Sequence, residues 1–255
     1  MCLTALEGRA RRPLPSGVGP AFTDPEAPFA PGLDVAWLQP LPDAALPAHG
    51  GDPADLAVER AGVRLALVAA IQLLAPRQRA VLVLRDVLGF PAAEVAAVLD
   101  TSVAAVNSAQ QRARARLAGL DVAAAARQRP DPAEERLADR YARALERGDV
   151  DGIVRLVTAD ALLEMPPMRN WFVGRDRYAA FMARIFATRG TDWRTVVTRA
   201  NGQPAIAAYR RVGDRYDLHT LQVLSADGGL LDRTTVFQDP AVFDLFGLVP
   251  ALPAR

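Results

Sequence analysis

Lysine is missing from this chain altogether: all 30 basic residues are arginine. With so much Ala, Pro and Val, that points to a GC-rich coding sequence, so arginine content alone is no sign of selection for guanidinium. Cysteine is nearly missing too. Cys2 stands alone, which excludes a disulfide framework, and no Cys/His cluster has zinc-ligand spacing. There is no nucleotide motif either, and neither a metal nor a cofactor is expected. No run of about 18 apolar residues exists, and the start lacks a cationic segment leading into an apolar one. The expectation is a cytoplasmic protein without a membrane partner. Excess charge of one sign is also lacking, since 30 basic residues face 29 acidic ones. No global field favours nucleic acid, so any electrostatic footprint must be local. What the chain does have, over 255 residues, is 51% hydrophobic content, enough for one or two ordinary cores.

Five zones differ in texture. Residues 1–12, "MCLTALEGRARR", are short, basic and helix-compatible. Residues 13–53 are dense in proline, lack backbone donors and resist both helix and sheet. They read as an extended linker with Phe22, Phe29 and Trp37 as anchors. Residues 54–120 are strongly helical. A second break covers 121–132, and 133–255 mixes helices with strand-like segments.

Within the helical zone, "PRQRAVLVLRDVLG" opens on a proline suited to a first helical position and closes on Gly89. "PAAEVAAVLD" follows, with Glu94 near its positive end. "TSVAAVNSAQQRARARL" is capped by Thr101 or Ser102. Only about three residues separate the last two helices, which forces a steep crossing. Ala96 falls at the crossing, Asp100 at the turn, where positive φ is wanted, and Val106 on the inner side. These offsets resemble a helix-turn-helix. On the third helix Val103, Val106, Ala113 and Leu117 form an apolar stripe that Gln110 interrupts. The opposite face carries Ala105, Ser108, Gln111, Arg112 and Ala115, with Asn107 at its edge. Short amides and hydroxyls near a helix start can read base edges in a major groove. Arg112, Arg114 and Arg116 lie where guanidinium groups reach phosphates. A merely solvated helical face is the alternative.

The stretch "LLAPRQRAVLVLRDVLGFPAAEVAAVLDTSVAAVNSAQQRARARL" resembles region four of bacterial RNA polymerase sigma factors of the extracytoplasmic-function group. The resemblance implies binding to the promoter minus-35 element and to the β flap of core RNA polymerase. By position, the groove-facing residues are Ser102, Ala105, Asn107, Ser108, Gln111 and Arg112, with Arg114 behind them. Arg79 and Arg85 match basic positions near the DNA backbone. Many relatives carry Arg where this chain has Asn107 and Ala109, which leaves the base preference open. "CLTALEGRARR" resembles the last helix of the family's N-terminal domain, which melts the minus-10 element and grips the β′ clamp. A chain truncated at the front, with Leu3 and Leu6 uncovered, is therefore expected. The Pro-rich zone resembles the linker that threads the polymerase cleft.

In the last zone, residues 133–147 form an amphipathic helix through Leu137, Tyr141 and Leu145, and "GRDRYAAFMARIF" forms another. Strands are expected at 195–199, 205–212, 217–225 and 230–238, with "NGQP" and "ADGG" as turns. Helices followed by a curved antiparallel sheet make an α+β cone that encloses a cavity. This order resembles the SnoaL-like group over 133–249 and implies a multidomain chain, an all-α helix-turn-helix domain followed by an α+β SnoaL-like domain. Glu164, Trp171, Tyr209 and His219 are the residues to look for in a pocket, with Asp232 and Arg233 as further polar groups. Trp171, Phe172 and Trp193 suit a core equally well, and a structural role suits His219. The expected function is transcription initiation modulated by the C-terminal domain, with promoter DNA, core polymerase and a small-molecule ligand as partners, and without catalysis. The rivals are a SnoaL-like isomerase or hydrolase with a helical leader, and a helix-turn-helix regulator independent of polymerase.

Overall fold

The structure, a computed structural model, describes residues 12–45, 65–117 and 131–254. Cys2, Leu3 and Leu6, and the linker reading of 121–130, lie outside the described residues. The chain forms two compact units. One comprises Met1–Arg12 with Leu46–Arg129, the other Pro13–Ala45 with Pro130–Arg255.

The first unit contains α1 (Leu65–Ile71), α2 (Pro76–Leu82), α3 (Ala92–Val98) and α4 (Val103–Arg116). Pro76 starts α2, where its missing N–H is no loss, and the Gln78 side chain accepts the Ala75 amide at 3.4 Å. The helix runs on through a π turn at Val83–Val87, then reverses at Gly89 with φ 75°. Pro91 precedes α3, and Asp100 makes the next turn with φ 48°. That is the left-handed conformation expected there, and Asp reaches it more readily than a branched residue. The Ser102 hydroxyl then accepts the Ala105 amide at 3.1 Å and caps α4.

Two small cores hold these helices. Leu74, Leu82, Ala113 and Leu117 form one, and Val81, Val95, Ala96, Val106 and Ala109 form the other. Ala96 sits between α3 and α4 because a larger side chain would push them apart. Two stripe assignments change. Val103 is 43% exposed, whereas Gln110 is buried and donates to Asp86 at 2.5 Å. The interruption in the stripe is thus a buried polar link, which needs its partner to be tolerated.

The second unit has α5 (Pro132–Glu146), α6 (Val150–Val154), β1 (Val157–Glu164), β2 (Trp171–Val173) and α7 (Arg175–Arg189). There follow β3 (Trp193–Ala200), β4 (Gln203–Val212), β5 (Arg215–Asp227), β6 (Leu230–Phe237), α8 (Pro240–Leu245) and β7 (Ala251–Pro253). One sheet has the order β2-β1-β6-β5-β4-β3, with β7 on β5. The sheet is mixed where a fully antiparallel one was expected, because β1 runs parallel to β6. Register shifts in β1, β5 and β6 bend it, as bulges do. Helices α5, α6 and α7 fill the hollow with Leu137, Tyr141, Leu145, Ile153, Tyr178 and Phe181.

Over residues 13–45 the Pro-rich segment is a layer of this second unit rather than a bare linker; residues 46–53 lie outside the described residues. Its carbonyls are taken by side chains: Arg184 donates to Pro25 and Ala27, Trp171 to Gly19, and Asn170 to Pro28. Its few amides bind back, Phe22 to Trp171 and Gly32 to Pro167, both at 2.9 Å. Leu14 and Leu38 are buried, and Leu38 N–H closes the segment on Pro13 O at 3.0 Å. Phe22 meets Phe172 edge-on, Phe29 meets Phe181 edge-on, and Trp37 covers Gly32. A chain poor in donors cannot join a sheet, but it can be strapped down by donors from elsewhere.

Candidate nucleic-acid interface and cavity

Asn107, Ser108, Gln111 and Arg112 are exposed on α4, Ser102 is exposed at its cap, and Ala105 is half-buried among them. The spacing of 107, 108, 111 and 112 keeps these side chains on one side of a helix 14 residues long. No acidic residue occurs within α4, while Arg112, Arg114 and Arg116 all do. A chain of near-zero net charge therefore concentrates positive charge on one helix.

Three arginines of this unit have tasks inside the fold. Arg79 does not reach outward as a backbone-contact residue. Its guanidinium donates to the carbonyls of Ile71, Gln72 and Leu74 at 3.2–3.3 Å and ties off the end of α1. Arg85 donates to Phe90 O at 2.7 Å and braces the Gly89 turn. Arg114 forks onto Asp86 at 2.9 and 2.6 Å, although its side chain remains 62% exposed. Asp86 thus takes Gln110 and Arg114 together and fixes the roll of α4 against α2. Helix periodicity cannot reveal such uses, because Arg79 and Arg85 reach backbone carbonyls outside the spacing of one helix face, and Arg114 reaches a carboxylate 28 residues upstream.

In the second unit a cavity of about 210 Å³ lies between α5, α7 and the sheet. Its walls are Leu145, Leu163, Phe181, Ile185, Trp193 and Val236, with Met165, Met168 and Met182. Phe29 of the Pro-rich strap completes them. One end is polar. Tyr141 donates to Gln222 Oε1 at 3.0 Å, and Gln222 donates to Thr220 Oγ1 at 3.2 Å. The Tyr141 and Tyr178 hydroxyls stand 3.0 Å apart, and Tyr178 donates to Thr234 at 2.9 Å. Burial raises both phenols above their usual range, Tyr141 well above it, so neither is ionised near neutrality.

His219 lines this cavity, with its ring 5.4 Å from that of Trp193 and Nε2 3.4 Å from Gln238 Nε2. Desolvation, then the charges of Arg189 and Arg210, push its pKa down to about 4, so the ring is neutral at pH 7. It faces inward because of a bulge. Tyr209 pairs with Leu218 and Ala208 with Thr220, which leaves His219 as the extra residue on β5. Both His219 and Thr220 then turn toward the cavity, while Leu218 goes to the outer face with Tyr209 and Tyr216.

The other three pocket candidates lie elsewhere. Tyr209 alternates outward between Ala208 and Arg210 and packs with Tyr216. Trp171 donates its indole to Gly19 and holds the strap. Glu164 is fully buried, neither at a cavity mouth nor in solvent. It accepts from Arg233 and from the Ser16 hydroxyl, at 2.5 and 2.9 Å. Of the cavity residues that sequence reasoning missed, Phe29 had already shown itself as an anchor. Thr220 and Gln222 had no signal beyond their place on a strand. Among the described residues no group of His, Cys, Asp and Glu could hold a metal ion, and no helix is long and apolar enough to cross a membrane.

Comparison with known proteins bears on both units. Residues 64–117 match the family "Sigma-70, region 4", and residues 138–234 match "SnoaL-like domain". The ECF RNA polymerase sigma factor SigG of Mycobacterium tuberculosis is 44% identical over 254 residues, covering 98% of this chain and 68% of the relative. SigJ of the same organism is 38% identical over 109 residues, covering 43% of this chain and 34% of the relative. The crystal structure of that SigJ aligns with TM-score 0.59 at 23% identity, over 82% of this chain and 74% of that one, which is a likeness of fold. Helix-turn-helix, SnoaL-like cone and 44% identity over 98% of this chain agree: the chain belongs to the extracytoplasmic-function RNA polymerase sigma factors, which initiate transcription.

Proposed function

We propose that α4 of this chain enters the major groove of a promoter minus-35 element and that the chain recruits core RNA polymerase there. The observation that carries this reading is the exposed, acid-free face of α4 behind the Asp100 turn. Asn107, Ser108, Gln111 and Arg112 face the base edges, with Ser102 and Ala105 at the leading end. Arg116 and the exposed part of Arg114 lie toward phosphate. Arg79 and Arg85 act indirectly, by holding the frame of α1, α2 and the Gly89 turn. The same unit docks on the polymerase β flap. The activity is cytoplasmic, as transcription requires.

The second unit is regulatory rather than catalytic in this reading. The side chains lining the cavity include no carboxylate to pair with His219, and a histidine neutral to about pH 4 is a weak base. Its grip on the Pro-rich strap is the means of control, because that strap precedes the DNA-binding unit in the chain.

The test is promoter binding and transcription with core polymerase. Arg112→Ala should cost about 1–3 kcal/mol and relax specificity at one base pair, whereas Arg116→Ala should lower the salt slope by about one. Equal, sequence-blind losses for the two variants would reject the base-reading role. Failure to co-purify with core polymerase would reject the recruitment role.

A further inference from the structure

We infer that the cavity of the second unit binds a compact, uncharged aromatic molecule, with Phe29 of the strap as part of its lid. This goes beyond the sigma-factor reading and stands on the cavity alone.

Size comes first. A dry cavity of about 150 Å³ accommodates benzene, so about 210 Å³ suits a ligand of roughly eight to ten non-hydrogen atoms. That is smaller than the usual drug-sized pocket. The lining chemistry narrows the class. Met165, Met168 and Met182 are three of the four methionines in the chain, and all three line this one space. Thioethers adapt to irregular shapes and make favourable contacts with ring edges. Phe181, Trp193 and Phe29 add ring faces. A cavity meant only to be filled by its own core would not gather the chain's flexible and aromatic side chains around empty volume.

Charge is excluded for two reasons. No carboxylate lines the space, so a cation would be desolvated without a partner. Arg189 is the lining cation, and it is exposed at the end of α7, so an anion would have to be desolvated among apolar walls to reach it. A single hydroxyl or N–H does find partners at the polar end. Gln222 uses one amide hydrogen on Thr220 and its oxygen on Tyr141, and the neutral His219 ring lies on the same wall. A phenol or an indole fits these constraints.

Phe29 ties occupancy to the strap. It is 39% exposed, meets Phe181 edge-on with centroids 6.2 Å apart, and lies under the Arg184 guanidinium at 4.9 Å. A ring in the cavity gives Phe29 a second aromatic partner and so favours the docked strap.

The experiment uses the full chain with indole and p-cresol as neutral probes and phenyltrimethylammonium as the charged one. Calorimetry should show saturable one-to-one binding of a neutral probe, at a dissociation constant on the order of 0.1 mM, and none of the cation. Ile185→Trp, which fills the cavity from its half-buried rim, should weaken binding at least about tenfold. Val236→Phe fills it from the sheet and serves if the first variant melts early. Binding should also slow proteolysis within residues 13–45, and Phe29→Ala should abolish that protection. No binding of either neutral probe, or binding undiminished in a folded filled variant, overturns the site. Binding without strap protection overturns the lid.

Discussion

Replacing Arg233 by alanine tests the clasp between strap and sheet. Glu164 has no exposed surface, and its carboxylate meets Arg233 at one oxygen and Ser16 at the other. Thr235 adds a contact at 3.4 Å, and the Ser16 amide one at 3.3 Å. Without the guanidinium, a buried negative charge keeps only neutral donors. Removing one partner of a buried pair costs about 3–5 kcal/mol. The Arg233 side chain is 23% exposed, so water can follow it out, and the lower end of that range, about 3 kcal/mol, applies. For a unit of this size that lowers the melting temperature by roughly 6–12 °C. Circular dichroism melts of the parent and Arg233→Ala measure this directly. Adding Glu164→Gln to Arg233→Ala removes the stranded charge and should recover part of the loss. Hydrogen exchange at the Ser16 amide should quicken in the single variant. A shift below about 2 °C would refute the reasoning, because the carboxylate would then not depend on its cation.

His219 makes the second unit acid-sensitive. Its folded pKa, about 4, lies below the ordinary 6.5, so the unfolded chain takes up the proton first. Stability is therefore complete above about pH 6.5 and falls as pH drops toward 4, losing about 1–2 kcal/mol between pH 7 and 5. Denaturant melts at the two pH values should show this slope in the parent and less of it in His219→Gln; an unchanged slope would exclude the ring as its source. At the turn before α4, Asp100→Val should destabilise by roughly 1–2 kcal/mol, since a branched residue strains at φ 48°. Asp100→Gly should stay within about 0.5 kcal/mol of the parent. Chemical denaturation checks both, and equal effects would argue against left-handed strain.

The helical unit was largely legible in the sequence because its determinants are local. Pro76, Gly89, Pro91, Asp100 and Ser102 punctuate the chain by their own backbone preferences, and small Ala96 announces a close crossing. The face of α4 followed from helical period, except at Gln110 and Val103. For Gln110 the deciding partner was Asp86, 24 residues upstream. The cone was legible as a class, through its two amphipathic helices and the strands around "NGQP" and "ADGG". Strand β1 escaped because a register shift between Val157 and Leu162 breaks its alternation. Which side chains meet in the cavity was beyond sequence period altogether. A strand alternates by two until one extra residue is inserted, and that insertion turns His219 inward and leaves Tyr209 outside. Proline content announced that 13–53 could form neither helix nor sheet, and Phe22, Phe29 and Trp37 stood out as anchors. It could not say what they anchor to, because the donors that hold the strap, Asn170, Trp171 and Arg184, lie well over a hundred residues away. Local backbone preference and period are properties of a short window of chain. Partnership across such distances exists only once the sheet has closed.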